Sequence, residues 1–151
     1  MNSQTTTSNK FQDFKINTRI KLSALWIAVM LLYVYGDVFS MFIPERLKGL
    51  LEGDSGAGAT TPAVLMAYTL VVAIPISLVL ISLILRPAIT RLLNIIIGII
   101  YTLIQLLTVT MLTPLKPMWY FYILLGVLES VVTIMIIWHA WRWPEQNTVE
   151  H

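Results

Sequence analysis

Four apolar runs, separated by polar stretches, organise the chain: residues 22–43, 62–85, 92–112 and 119–141. At a rise of about 1.5 Å per residue, a helix of roughly 20 residues crosses a hydrocarbon layer about 30 Å thick. Backbone N–H and C=O groups have no water to bond in that layer, so each run is expected to be a helix. Pro44 follows the first run and ends it. Pro62 opens the second, at the favoured first helical position. Pro75 lies inside the second helix. It removes one backbone bond and crowds the preceding turn, which makes it a candidate hinge.

The connections set the topology. ERLKGLLE reads as one or two amphipathic turns, and GDSGAGATT reads as a flexible linker. RPAITR and TPLKPM are tight turns. Short connections make consecutive helices antiparallel neighbours, so the expected fold is an all-α, up-down-up-down four-helix transmembrane bundle over residues 22–141. Residues 1–21 form a basic N-terminal tail, and residues 142–151 a polar C-terminal tail. Phe11, Phe14 and Ile16, among Lys10, Lys15, Arg19 and Lys21, suit either a short stretch lying on the bilayer surface or a plain basic flank.

Lys and Arg decide the orientation. Lys10, Lys15, Arg19, Lys21, Arg86, Arg91 and Arg142 fall on one side, seven in all, against Arg46, Lys48 and Lys116 on the other. The positive-inside rule then places both termini in the cytoplasm of a cell with a bacterial-type inner (plasma) membrane. The first run is too long for the apolar part of a signal peptide, and no small-x-small site follows it, so it reads as an uncleaved helix. Trp26, Trp138, Trp141 and Trp143 are expected in the inner aromatic belt. Trp119, Tyr120 and Tyr122 are expected near the outer one.

Composition narrows the chemistry. The chain is 57% hydrophobic and 12% charged, unlike a soluble surface. A net charge of +2 gives no reason to expect nucleic acid as a partner. The absence of cysteine excludes thiolate metal sites, iron–sulfur clusters and dithiol redox chemistry. His139 and His151 are the only histidines; His139 reads as an interfacial residue. No metal-ligand cluster, nucleophile elbow, phosphate loop or dinucleotide fingerprint stands out. No catalytic, cofactor-binding or metal-binding residue is therefore assigned, and no cofactor is expected.

Ionisable groups inside a membrane are the default functional candidates. Asp37 lies roughly 9 Å from the outer end of its helix, and Glu129 roughly 15 Å from either face. Helical periodicity gives each helix one polar or small stripe. The stripes hold Trp26, Tyr33, Asp37 and Ser40 on the first helix and Tyr68, Pro75 and Ser82 on the second. On the third they hold Asn94, Gly98, Thr102 and Gln105, with Tyr101 at the edge, and on the fourth Tyr122, Gly126, Glu129 and Thr133. In lipid, such stripes face the bundle interior. Tyr33, Asp37, Tyr68, Gln105, Tyr122 and Glu129 are thus expected to line a polar cavity near the outer side. The alternative is that they only hold the helices together, through bonds worth about 0.6 kcal/mol each. Gly126 and Ser130 form a small-xxx-small pair, suited to close helix contact or a dimer face.

LSALWIAVMLLYVYGDVFS, IPIS, RLLNIIIG, LES and WHAWRW, in that order and spacing, resemble a group of small four-helix bacterial membrane proteins of unknown function. The resemblance spans about residues 20–143. By it, Trp26, Tyr33, Tyr35, Asp37, Asn94, Glu129, Trp138 and Trp141 occupy pattern positions. Such proteins tend to carry an acid just before the IPI stretch, where this chain has Ala73. The resemblance implies fold and membrane location, and no activity.

Three functions compete. The first is a structural or accessory membrane protein, in a homo-oligomer or a larger membrane complex, with the lipid bilayer as its immediate partner. The second is a small proton-coupled transporter or channel subunit using Asp37 and Glu129. The third, an enzyme acting on a lipid or quinone, lacks a nucleophile–base pair.

Overall fold

The structure is a computed structural model that describes residues 16–56 and 58–143. The tail residues Lys10, Phe11, Phe14, Lys15 and His151 lie outside the described residues. The fold is an all-α bundle of α1 (Thr18–Ser40), α2 (Pro44–Leu51), α3 (Pro62–Ile84), α4 (Pro87–Leu107) and α5 (Tyr120–Trp141). A π-helical turn, Thr108–Leu112, prolongs α4, and a 3₁₀ turn, Pro117–Trp119, leads into α5. Four spans are long and apolar enough to cross a membrane: α1, α3, Pro87–Leu112 and Pro117–Trp141. The protein is a multi-pass membrane protein.

Local chemistry sets the helix ends. The Asn17 side chain accepts from the Arg19 N–H at 2.9 Å, so α1 starts at Thr18 rather than at residue 22. Thr61 caps α3 in the same way, with Pro62 at its first position. Pro87 opens α4 five residues before the expected residue 92, because proline loses nothing at a position whose N–H has no helical partner. Two arginines read as topology signals also close helix C-termini. Arg19 donates to the Leu83 carbonyl at 3.0 Å and Arg91 to the Trp141 carbonyl at 3.3 Å.

The bundle has two ends. The terminal end holds the start of α1, the α3–α4 turn and the close of α5. The loop end holds α2 and the turn before α5. The packing order is α3, α1, α5, α4. Consecutive α3 and α4 diverge after their tight turn, and α3 lies mainly against α1. Only Pro75, Leu78 and Ser82 of α3 are buried, all in its terminal half.

Two polar bonds explain how α3 stays attached. Asn94 is fully buried on α4. It accepts from the Trp26 indole N–H of α1 at 2.7 Å, and its amide donates to Ser82 Oγ of α3 at 3.2 Å and to the Thr90 carbonyl at 2.8 Å. Trp26 is therefore a core residue, not part of a belt: a bonded indole surrounded by protein has no reason to seek the interface. Trp138 and Trp141 do stand exposed, 54% and 66%. The second bond concerns Pro75. Proline has no N–H to give the Val71 carbonyl four residues back. The Tyr101 hydroxyl of α4 donates to that carbonyl at 2.7 Å. The ring of Tyr101 meets Trp26 edge-on, with centroids 5.9 Å apart, so both fastenings share one buried cluster.

Asn94→Ala removes the partner of a buried indole N–H and is expected to cost about 1–3 kcal/mol. Tyr101→Phe is expected to cost less, about 0.6–1.7 kcal/mol, since one membrane-buried hydrogen bond is lost. Thermal unfolding of both variants in one detergent checks the order.

Candidate functional site

Glu129 is the tenth residue of α5, about 14 Å from its start at Tyr120 and about 18 Å from its end at Trp141. It is 2% exposed, and its Oε1 has no hydrogen-bond partner among the described residues. A buried polar atom without a partner is uncommon in folded proteins. In hydrocarbon, an acid in that state is expensive, which makes Glu129 the candidate functional position.

The surroundings of Glu129 come mostly from α1 and α4. The Tyr33 side chain of α1 addresses the Glu129 carboxyl. The Tyr33 ring in turn stands 6.4 Å from Tyr101. On the terminal side, Thr102 Oγ1 of α4 donates to Thr133 Oγ1 at 2.8 Å, and Thr133 donates on to the Glu129 backbone carbonyl at 3.1 Å. Below these threonines the interior is closed by Leu22, Trp26, Val29, Ile136 and Ala140, all fully buried.

The loop side is different. Glu129 lies in the electrostatic field of Asp37, and Asp37 in that of Arg46. Tyr122 senses all three charges. Its ring lies over Gly36, where a Cβ would stand 3.6 Å from it, so α1 and α5 come close there. A column of polar groups thus runs from Glu129 through Tyr33 and Tyr122 to Asp37 and Arg46. Asp37 itself is exposed at the helix surface. The two acids are unequal: one is enclosed and the other faces out.

Gln105 of α4 is buried, 6% exposed, and its amide packs on Gly126 of α5. A Cβ at Gly126 would fall 2.5 Å from Gln105 Nε2. Gly126 therefore permits the close approach of α4 and α5 beside Glu129, as the small-residue spacing suggests.

Tyr68 stands apart from this column. It is 42% exposed, and its hydroxyl donates to Ser55 Oγ at 3.2 Å. Its partner is the loop, because the loop half of α3 leans away from α4. That loop also departs from a flexible linker. Ser55 N–H and Oγ both bond the Gly58 carbonyl at 2.8 Å, Thr60 N–H bonds the Gly53 carbonyl at 2.7 Å, and Arg46 donates to the Ser55 carbonyl at 2.6 Å. Gly53, Gly56 and Gly58 take positive φ values of 85°, 88° and 105°, which glycine adopts without strain. The glycines that suggested disorder are the ones that let the turn close.

Arg46 is the member of the column that sequence reasoning missed. Its signal was position alone: a cation two residues past the Pro44 break, on the side where the Asp37 helix ends. Pro75 is buried, and α3 runs through it without interruption. Among the described residues no group of three or more His, Asp or Glu side chains has metal-binding geometry.

Gly126→Ala is expected to displace the Gln105 amide and destabilise the bundle by about 1–3 kcal/mol, as overpacking does. Gly126→Ala combined with Gln105→Ala should recover part of that loss, the remainder resting on Val109 Cγ2, which also meets the new Cβ. The comparison is read by thermal unfolding, and equal losses in the single and double variants would contradict the contact.

No curated protein and no solved structure matches the chain significantly. Residues 9–150, the whole membrane domain and most of its flanks, match the model of a family of unknown function (DUF6326), and the chain belongs to that family.

Proposed function

We propose that the protein is a proton-handling subunit of a bacterial plasma membrane, with both termini in the cytoplasm and Glu129 as its proton-binding group. The observation that carries this reading is the enclosed Glu129 carboxyl with Oε1 unpartnered. Among the described residues no cation stands beside an ionised carboxylate there. The acid is held with a proton on it, and that proton exchanges with the loop side through the column of Tyr33, Tyr122 and Asp37.

The path is one-sided within a single copy. Leu22, Trp26, Val29 and Ile136 close the terminal side, so a continuous route needs a second copy of the chain. This supports an accessory or oligomeric role over a free-standing transporter. It also argues against an enzyme, since the column holds no nucleophile–base pair.

Glu129→Gln tests the reading, because the amide keeps the shape and cannot exchange a proton. Full-length protein in liposomes under a pH gradient should pass protons, and the variant should lose at least about tenfold of that flux while its thermal unfolding changes little. Asp37→Asn should lower the flux less, since Asp37 stands at the exposed end. A wild type without flux, together with a variant that only loses stability, would make the acid structural and sink the proposal.

A further inference from the structure

A second site lies at the loop end, outside the column's interior. Glu45, Arg46, Gly49, Asp54, Pro114, Lys116, Met118 and Trp119 line a cleft of about 290 Å³. Its walls come from two separate connections, the α2 loop and the turn before α5. Glu45, Arg46 and Asp54 enter from the α2 side and Lys116 from the other, so two cations and two acids share the cleft. None of the four pairs with another: among the described residues the one salt bridge is Lys48–Glu52, which lies elsewhere on α2.

Two of the charged side chains, Arg46 and Asp54, are held by hydrogen bonds, and Lys116 is carried on a closed turn. The Arg46 guanidinium is fixed by its bond to the Ser55 carbonyl. Asp54 Oδ1 accepts from the Gly56 N–H at 2.8 Å, leaving its second oxygen for another donor. Lys116 sits in a turn closed by its own N–H to the Pro114 carbonyl at 2.9 Å and by the Trp119 N–H to the Lys116 carbonyl at 2.8 Å. Trp119 is half-buried in the wall, with its ring edge-on to Tyr122 at 5.8 Å. Opposite charges that line one cleft without pairing match a ligand that carries both signs.

We propose that this cleft binds a zwitterion joining a phosphate to a primary ammonium, the chemistry of phosphoethanolamine. Arg46 and Lys116 take the phosphate, the guanidinium in a forked pair of bonds and the ammonium as a point charge. Glu45 and Asp54 accept from the three N–H donors of the ligand's ammonium. Trp119 provides an apolar wall at the depth where a lipid's glycerol begins. The ligand is either the headgroup of phosphatidylethanolamine or the free soluble zwitterion. The site does not rest on proton handling at Glu129. It touches that column through Arg46 and through the ring contact of Trp119 with Tyr122.

The experiment uses the full chain in nanodiscs containing equal parts of phosphatidylethanolamine, phosphatidylcholine and phosphatidylglycerol, with retained lipid read by native mass spectrometry. Phosphatidylcholine offers no N–H donor, and phosphatidylglycerol offers no cation. Wild type should retain the ethanolamine lipid about tenfold over both. Lys116→Ala and Glu45→Gln, both at exposed side chains, should each abolish that preference while leaving thermal unfolding unchanged. In detergent, soluble phosphoethanolamine at millimolar concentration distinguishes the two sources. Quenching of tryptophan fluorescence that Lys116→Ala and Trp119→Phe each abolish identifies the free zwitterion as a sufficient ligand, and lipid retention without it identifies the lipid. Equal retention of the three lipids with no quenching overturns the proposal. So does a preference that both variants keep, or a preference for phosphatidylglycerol, which would mean plain anion binding.

Discussion

Asn94 is the point on which the bundle depends. Hydrocarbon supplies no water, so every buried polar atom must find its partner inside the protein. Asn94 meets that demand for Trp26 on α1 and Ser82 on α3 at once, from α4. Helix association in lipid gains little from apolar contact, which lipid tails supply equally well. Polar bonds and close packing decide it. The Tyr101 bond to the Val71 carbonyl follows the same rule, since it fills the place left by Pro75. With these two fastenings α3 holds to a core it otherwise barely enters.

Against that background Glu129 is the exception. Asn94, Ser82, Thr102 and Thr133 are all bonded inside the bundle, while one oxygen of the buried acid is not. The protein satisfies its polar groups on the terminal side of Glu129 and leaves them progressively open towards the loop side. Tyr33 and Tyr122 are half-buried, Asp37 is exposed, and Arg46 reaches the surface cleft. This gradient gives the site a direction. It also places Arg46 between two chemistries, so charge bound in the cleft and charge on Asp37 influence each other.

Much of the architecture was legible in the residues. Run length and the demand for internal backbone bonding give four crossing helices, and the stripes on α4 and α5 do face inward: Asn94, Gly98, Gln105, Gly126, Glu129 and Thr133 are buried. Trp26 was misplaced, because periodicity locates a side chain on a face but does not say whether an asparagine across the bundle waits for it. Tyr68 was misplaced because adjacency in sequence was taken as adjacency in space, whereas α3 packs on α1 and diverges from α4. The loop was misread because glycine-rich composition fits both a disordered linker and a turn that needs positive φ. Within the candidate site, the acids and tyrosines were visible as residue types. The inequality of Asp37 and Glu129 was not, since it depends on which way each helix is turned.

The central claim is that Glu129 is an enclosed acid carrying an exchangeable proton, and a hydrophobic carbodiimide tests it most directly. Such a reagent reaches carboxyl groups through the bilayer and reacts with the protonated form. Full-length protein in lipid should be labelled at Glu129, identified by peptide mass mapping, with labelling that falls as the pH on the loop side is raised and that disappears in Glu129→Gln. Labelling confined to Asp37, or an unlabelled Glu129 at every pH, would contradict the account.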